Sequence, residues 1–347
     1  MGYTMENITQ RERFISALKK EAVDKIPVCA VTQTGIVDLM ELSGAGWPEA
    51  NYDPEKMATL AIAANELAGL EAVRVPFCTS VLAESLGCSF DKGSFDTQPY
   101  QLDFPCKTKD DVKNISVPDD IIEKPRIKTV LEAARIVRER VGDKTPIIAG
   151  LIGPAATAFY LSGATNYLMW CITDEEKFKS LLQIGTEACL KYASALYGHG
   201  VDAIVIIDSE AGPDILPPSL FESMVLPEYH SITSQLNGLK ILHICGDTSD
   251  ILDHMASSGF NGLSIEEKVD IRYAKQIIGQ RSAIIGNISP SATLLDKSPD
   301  IIKKEAKQCI EDGVDIIAPG CGLAPHTSLD QLKSLVYARD EYYQENG

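Results

Sequence analysis

About eight short, β-rich apolar runs recur along the chain: IPVCAVTQTG, EAVRVPF, PIIAGLIGP, VDAIVIIDSEAG, LKILHICGD, NGLSIEE, SAIIGNISP and VDIIAPGCG. Nearly continuous hydrophobicity marks strands covered on both faces, as in a parallel sheet flanked by helices. Most runs end in Gly, Asp, Glu, Asn or Ser, which is how the functional face of a barrel reads.

Helices with clear start and stop signals lie between the runs. Thr9 to Glu12 is a capping box opening an amphipathic helix on Phe14, Ile15 and Leu18. Thr173 to Glu176 is a second, opening a helix that reaches Gly198 or Gly200. Ser298 with Pro299 starts a helix that Gly313 can close, and Ser328 opens the last one. At 347 residues, one large barrel or two medium domains would fit. Eight βα units favour a single (βα)8 TIM barrel over a doubly wound sheet, because no Gly-x-Gly-x-x-Gly follows the first run. Residues 1–25 are expected as an N-terminal helical extension, and residues 78–125, after the second strand, as an insertion near the barrel mouth.

A net charge of -17 and a pI near 4.7 argue against a nucleic-acid partner. The absence of a long apolar run, and of an apolar core in MGYTMENITQRER, predicts a cytoplasmic protein with no membrane span. Nine scattered cysteines do not make a disulfide framework. Cys189 and Cys309 read as core residues of helices, and Cys29, Cys78, Cys88 and Cys106 lack metal spacing.

Two other cysteines stand out. On a strand, residues i and i+2 share a face at about 6.6 Å, so His243 and Cys245 point one way with Ile241, while Leu242 and Ile244 point the other. Cys321 lies between Gly320 and Gly322 at another strand end, where the glycines allow an unusual turn and leave the sulfur clear. A His-x-Cys pair alone is more often packed core. A glycine-flanked cysteine and a carboxylate on further strand ends reverse that balance.

One histidine and two thiolates form a catalytic zinc set with an open fourth position. Glu266 or Glu267 is expected to fill it exchangeably, and strand parity favours Glu266. A structural zinc site would show closed, short Cys-x-x-Cys spacings, which are missing. Two thiolates cancel the ion's charge, so the centre suits activation of a substrate thiol better than hydrolysis. Asn287 is a candidate substrate contact or a backbone cap. Asp208 is another candidate at the substrate end, and with Glu210 it is a candidate to orient His243 through its second nitrogen. His199, His230 and His254 sit in helical contexts without a role, and His326 reads as a solvated loop residue.

The barrel together with HICGDT, GNISP and GCGLAPHT resembles the uroporphyrinogen decarboxylase superfamily, and specifically its zinc branch, the methylcobamide:coenzyme M methyltransferases of methanogens. The likeness spans essentially the whole chain. It implies zinc held by His243, Cys245 and Cys321, with Glu266 displaced when the thiol of coenzyme M binds. The methyl group would come from a methylated corrinoid (methylcobalamin) carried by a separate partner protein. Tyr160, Tyr167 and Trp170 would then meet the corrin or pack in the core, the latter being favoured. Two departures from the decarboxylase branch matter: VCAVTQTGIVD has no arginine after the first strand, and Gly-Cys-Gly replaces Gly-His-Gly. The rival readings are another acceptor such as a folate or a different thiol, porphyrinogen decarboxylation, and a non-catalytic barrel that binds a corrinoid protein.

Overall fold

The computed structural model describes residues 8–346, so most of the sequence ahead of the first helix lies outside the described residues. Among the described residues nine strands form: β1 (Val73–Val75), β2 (Ser89–Asp91), β3 (Tyr100–Asp103), β4 (Ile147–Ile152), β5 (Ala203–Ile207), β6 (Leu239–His243), β7 (Gly262–Ser264), β8 (Ala283–Ile288) and β9 (Ile316–Pro319). Seven of them make one curled parallel sheet in the order β1-β4-β5-β6-β7-β8-β9, and β2 pairs with β3 antiparallel. Helices alternate with these strands in a TIM-like arrangement.

The first apolar run does not form the eighth strand expected of it. It supplies a single bridge, Val28 with Ile317, where Cys29 N–H donates to the Ile317 carbonyl at 2.9 Å. The Glu71 N–H, just ahead of β1, donates to the Val28 carbonyl at 2.8 Å, so this residue joins the two edges of the sheet. Pro27 has no N–H to lengthen the ladder, although its carbonyl accepts from Ile317.

Alternate strand residues separate two cores. Ile148, Ala203, Val205, Ile207, Ile241, Ala283, Ile285, Ile316 and Ala318 face inward, and Phe14, Ala17 and Leu18 pack with them. Ile204, Ile206, Leu242, Leu263, Ile284 and Ile317 face the helices. The sheet strands are therefore largely apolar at successive positions because both faces are dry, with Arg74, Lys240, His243, Ser264 and Asn287 as exceptions. The helix Gln10–Leu18 closes the N-terminal end of the sheet. Arg11 reaches Asp202 ahead of β5, and Lys20 reaches Asp315 ahead of β9. Beside it, Glu71 lies between two buried guanidinia, 3.1 Å from Arg13 and 3.0 Å from Arg339 of the C-terminal helix Leu329–Asn346.

The caps mostly fall where the sequence puts them. Thr9 and Glu12 form the reciprocal box, and Ser328 and Gln331 exchange equivalent bonds. Gly313 closes the helix Pro299–Asp312 with φ 99°. The second box shifts by one residue: Asp174, not Thr173, caps the helix Glu175–Gly198 by accepting from the Lys177 N–H. Between residues 78 and 125 the chain forms the helix Val81–Ser85 and the β2–β3 pair. Gln101 of β3 donates to the Tyr160 carbonyl, and Asp96 contacts His326, five residues past Cys321. The His326 side chain is exposed, as expected of a solvated loop residue, and its Nε2 lies 3.1 Å from Asp96 Oδ2. Among the described residues, no helix is long and apolar enough to cross a membrane.

Candidate metal centre

His243 ends β6 and is fully buried, in register with Ile207 of β5 on one side and Ser264 of β7 on the other. Its inward direction continues Leu239 and Ile241. Its Nδ1 meets Ser264 Oγ at 3.0 Å, which leaves Nε2 turned toward Cys245 Sγ at 3.3 Å. Cys245 follows two residues later, half-buried, and the chain then turns at Gly246 with φ 86°, a conformation that favours glycine.

Cys321 arrives from the end of β9, with its sulfur 3.5 Å from that of Cys245. Neither of its glycine neighbours has a positive φ, so the unusual turn they would allow is not used. Gly320 instead provides room, since a Cβ there would lie 3.0 Å from the Glu266 Cα and 3.1 Å from Glu267 Oε2. Donor atoms of His243, Cys245, Glu266 and Cys321 all lie within 4.8 Å of one another. Glu267 is exposed and turned aside to accept from Ser289 Oγ at 2.8 Å.

The two sulfurs are within hydrogen-bond reach of each other, and either can donate. The hydrogen bond between them, reinforced by burial, raises Cys245, and the same bond lowers Cys321. Two thiolates this close repel each other, and a divalent cation between them removes that cost. One imidazole nitrogen, two sulfurs and a carboxylate oxygen are a donor set that fits zinc.

The other candidates have different tasks. Asp208 does not orient His243. It is wholly buried and accepts from the N–H groups of Ala155 (3.2 Å) and Ala156 (2.6 Å) and from Tyr229 Oη (2.8 Å). It thereby caps the helix Pro154–Thr173 from a neighbouring strand, because that helix starts on Gly153, which has no side chain to do so. Burial pushes Asp208 up to about 7 and also raises Glu210. Neither carboxylate bonds the His243 ring. Asn287 donates to the carbonyls of Glu266 (3.0 Å) and Val269 (2.8 Å), so its amide fixes the turn that carries Glu266. Tyr167 and Trp170 are core residues, Tyr167 donating to the Glu210 carbonyl, and Tyr160 is partly buried beside Thr79.

Two contacts of the site escaped the sequence reading: Ser264 on His243, and Ser209, whose Oγ lies 2.9 Å from Cys245 Sγ. Only the β6–β7 register reveals the first. Ser264→Ala is expected to weaken zinc retention about 10- to 100-fold, as loss of a partner that orients a ligand does. Competition with a chromogenic chelator reads this out, and a change under about threefold would rule out an orienting role.

Residues 9–342 match the family described as uroporphyrinogen decarboxylase (URO-D). The chain is 46% identical over 340 residues to the methylcobamide:CoM methyltransferase MtaA of Methanosarcina barkeri, covering 98% of this chain and 100% of the relative. It is 35% identical over 341 residues to the methylcobamide:CoM methyltransferase MtbA of Methanosarcina acetivorans, covering 97% and 99%. A solved methyltransferase from Methanosarcina mazei superposes with a TM-score of 0.95 at 44% identity, covering 97% of this chain and 100% of that one. Full-length matches, a parallel barrel-like sheet and donors gathered at its strand ends lead to one assignment: the chain belongs to the uroporphyrinogen decarboxylase (URO-D) family, among its methyltransferase members.

Proposed function

We propose that this chain transfers a methyl group from a methylated corrinoid protein to the thiol of coenzyme M, giving methyl-coenzyme M. The observation that carries the reading is the group His243, Cys245, Cys321 and Glu266, two thiols, an imidazole and a carboxylate within 4.8 Å of one another. Relatives of matching length whose names specify methylcobamide:CoM methyl transfer support the same donor and acceptor. Zinc held by these residues supplies a centre at which an acceptor thiol loses its proton near neutral pH and, with two thiolates already cancelling the ion's charge, stays nucleophilic.

The protein side chains divide the remaining work. His243, Cys245 and Cys321 are the fixed ligands. Ser264 holds the imidazole in the orientation that points Nε2 at the cluster. Glu266 would be the exchangeable ligand: Asn287 holds its backbone on the turn after β7, while its carboxylate lies against Cys321. With that carboxylate turned aside, the acceptor sulfur would have room beside His243, Cys245 and Cys321. That sulfur takes the methyl carbon as the carbon–cobalt bond breaks, and the electron pair stays on cobalt, leaving cob(I)alamin on the partner protein. In-line approach is the main demand, so holding the sulfur at the strand ends is much of the catalysis. We read the chain as one catalytic unit, with residues 78–125 beside the entrance through the Asp96 contact to His326.

The test is methylation of coenzyme M from free methylcobalamin by the zinc-loaded protein, with methyl-coenzyme M as the measured product. Activity that requires zinc is the expected result. Turnover with a folate but not with coenzyme M would move the assignment to another acceptor, and decarboxylated porphyrin would overturn it.

A further inference from the structure

Arg74 is the middle residue of β1, and its register partner in β4 is Ile148, one of the inward-facing residues. Its side chain therefore enters the interior of the sheet rather than the helical layer. Gly150, the next inward position of β4, confirms the direction, because a Cβ there would collide with Arg74 Nη2. The guanidinium is wholly buried. Nε donates to the Val31 carbonyl at 3.2 Å, while Nη1 and Nη2 have no partner among the described residues.

No other arginine in the described chain is left in this condition. Arg11, Arg13, Arg126, Arg135, Arg138, Arg140, Arg272, Arg281 and Arg339 each pair with a carboxylate. Burial lowers Arg74 to about 10, which still leaves it cationic at neutral pH. A buried cation with unpaired donors is costly unless an anion compensates it. Around the ring made by the seven strands and the Val28 bridge, β1 lies opposite β7. The guanidinium thus enters from the wall facing β7, the strand that leads to Glu266, while His243 and Cys245 come from β6 and Cys321 from β9.

We propose that Arg74 binds the anionic end of the acceptor: its free Nη1 and Nη2 receive the sulfonate of coenzyme M while the sulfur is held at His243, Cys245 and Cys321. This rests on the methyl-transfer reading above. A short thiol with an anion a few bonds from its sulfur satisfies the guanidinium and the ligand group at once, and a neutral thiol satisfies only the second. Gly150 is the space that lets the guanidinium lie where the anion meets it. The specificity for an anionic acceptor is therefore carried by a residue remote in sequence from every ligand.

The zinc-loaded protein and its variants Arg74→Met, Arg74→Lys and Gly150→Ala are compared in two measurements. The first is the ratio of kcat/KM for coenzyme M to that for 2-mercaptoethanol, with free methylcobalamin as donor. Arg74→Met is expected to lower this ratio about 100-fold, the size of lost charge-assisted hydrogen bonds, mainly through the KM of coenzyme M. Arg74→Lys recovers part of it, and Gly150→Ala lowers it by pushing the guanidinium aside. The second is calorimetric binding of ethanesulfonate, which has no thiol. It is expected with the parent protein and lost in Arg74→Met.

An unchanged ratio together with retained ethanesulfonate binding in Arg74→Met would overturn the proposal. If the parent protein methylates no thiol, the functional reading fails, while ethanesulfonate binding still decides the role of Arg74. If Arg74→Met does not fold, the same ratio and binding measured on Gly150→Ala decide it.

Discussion

Cys321→Ser is expected to weaken zinc binding about 100-fold or more and to abolish methyl transfer to coenzyme M. A zinc site of several protein ligands holds its ion with roughly 10–16 kcal/mol in total, so one thiolate accounts for about 3 kcal/mol, which is over 100-fold in affinity. Serine is a poor replacement because its hydroxyl does not ionise near neutral pH. It also removes half of the thiolate charge that keeps a bound acceptor sulfur nucleophilic. The fold should survive, since Cys321 lies half-exposed after β9 and belongs to neither core. Metal analysis after dialysis decides the matter: the parent protein retains about one zinc per chain, and the variant little. Cys171→Ser is the control, because Cys171 is buried in the helix Pro154–Thr173, bonds the Leu168 carbonyl of that helix and is not among the ligand group. If Cys321→Ser kept its zinc and its turnover, Cys321 would not be a ligand.

The second large effect lies at the other end of the sheet. Glu71→Ala is expected to destabilise the fold by about 3 kcal/mol, the cost of losing a buried carboxylate shared by two guanidinia that each keep one other carboxylate, Asp24 for Arg13 and Asp340 for Arg339. Glu71 Oε1 bonds both Arg13, on the first helix, and Arg339, on the last. These three residues are almost fully buried, so water cannot replace the carboxylate. The contact ties the first and last described helices to the segment entering β1. A fall of about 10 °C in Tm, or a matching shift in urea midpoint, is the expected reading. Glu71→Gln, whose amide oxygen can still accept from both guanidinia, should lose less than Glu71→Ala. A loss under about 1 kcal/mol for Glu71→Ala would mean that the corner is solvated and the ion cluster contributes little.

The site was legible in sequence to the extent that it depends on parity and chemical type. His243 and Cys245 share a face because they are two residues apart on a strand, and Cys321 and Glu266 were recognisable as donors at strand ends. Their meeting required the order β6-β7-β8-β9, which the alternation of strands and helices already implied. What spacing does not carry is the partner of each side chain. Asp208 and Ser264 were both near enough in principle to orient His243, and a carboxylate is the commoner choice. The register sets Ser264 directly beside the imidazole, while Asp208 is drawn to the N-terminus of the helix Pro154–Thr173. Likewise, Asn287 looked as suited to a substrate as to a backbone carbonyl until the turn after β7 folded over it.

The sequence by itself determined the period of each element, the caps at Thr9 and Ser328, the doubly buried strands and the soft donors at their ends, because these follow from backbone geometry and hydrogen bonds spanning a few residues. Only the tertiary structure decided that the first run is reduced to a bridge at Val28, that Ser264 rather than Asp208 meets His243, and that Arg74 lies in the interior without a carboxylate. Those outcomes depend on register between strands and on which side chains compete for one space. Segments far apart in the chain set both, and no local pattern records them.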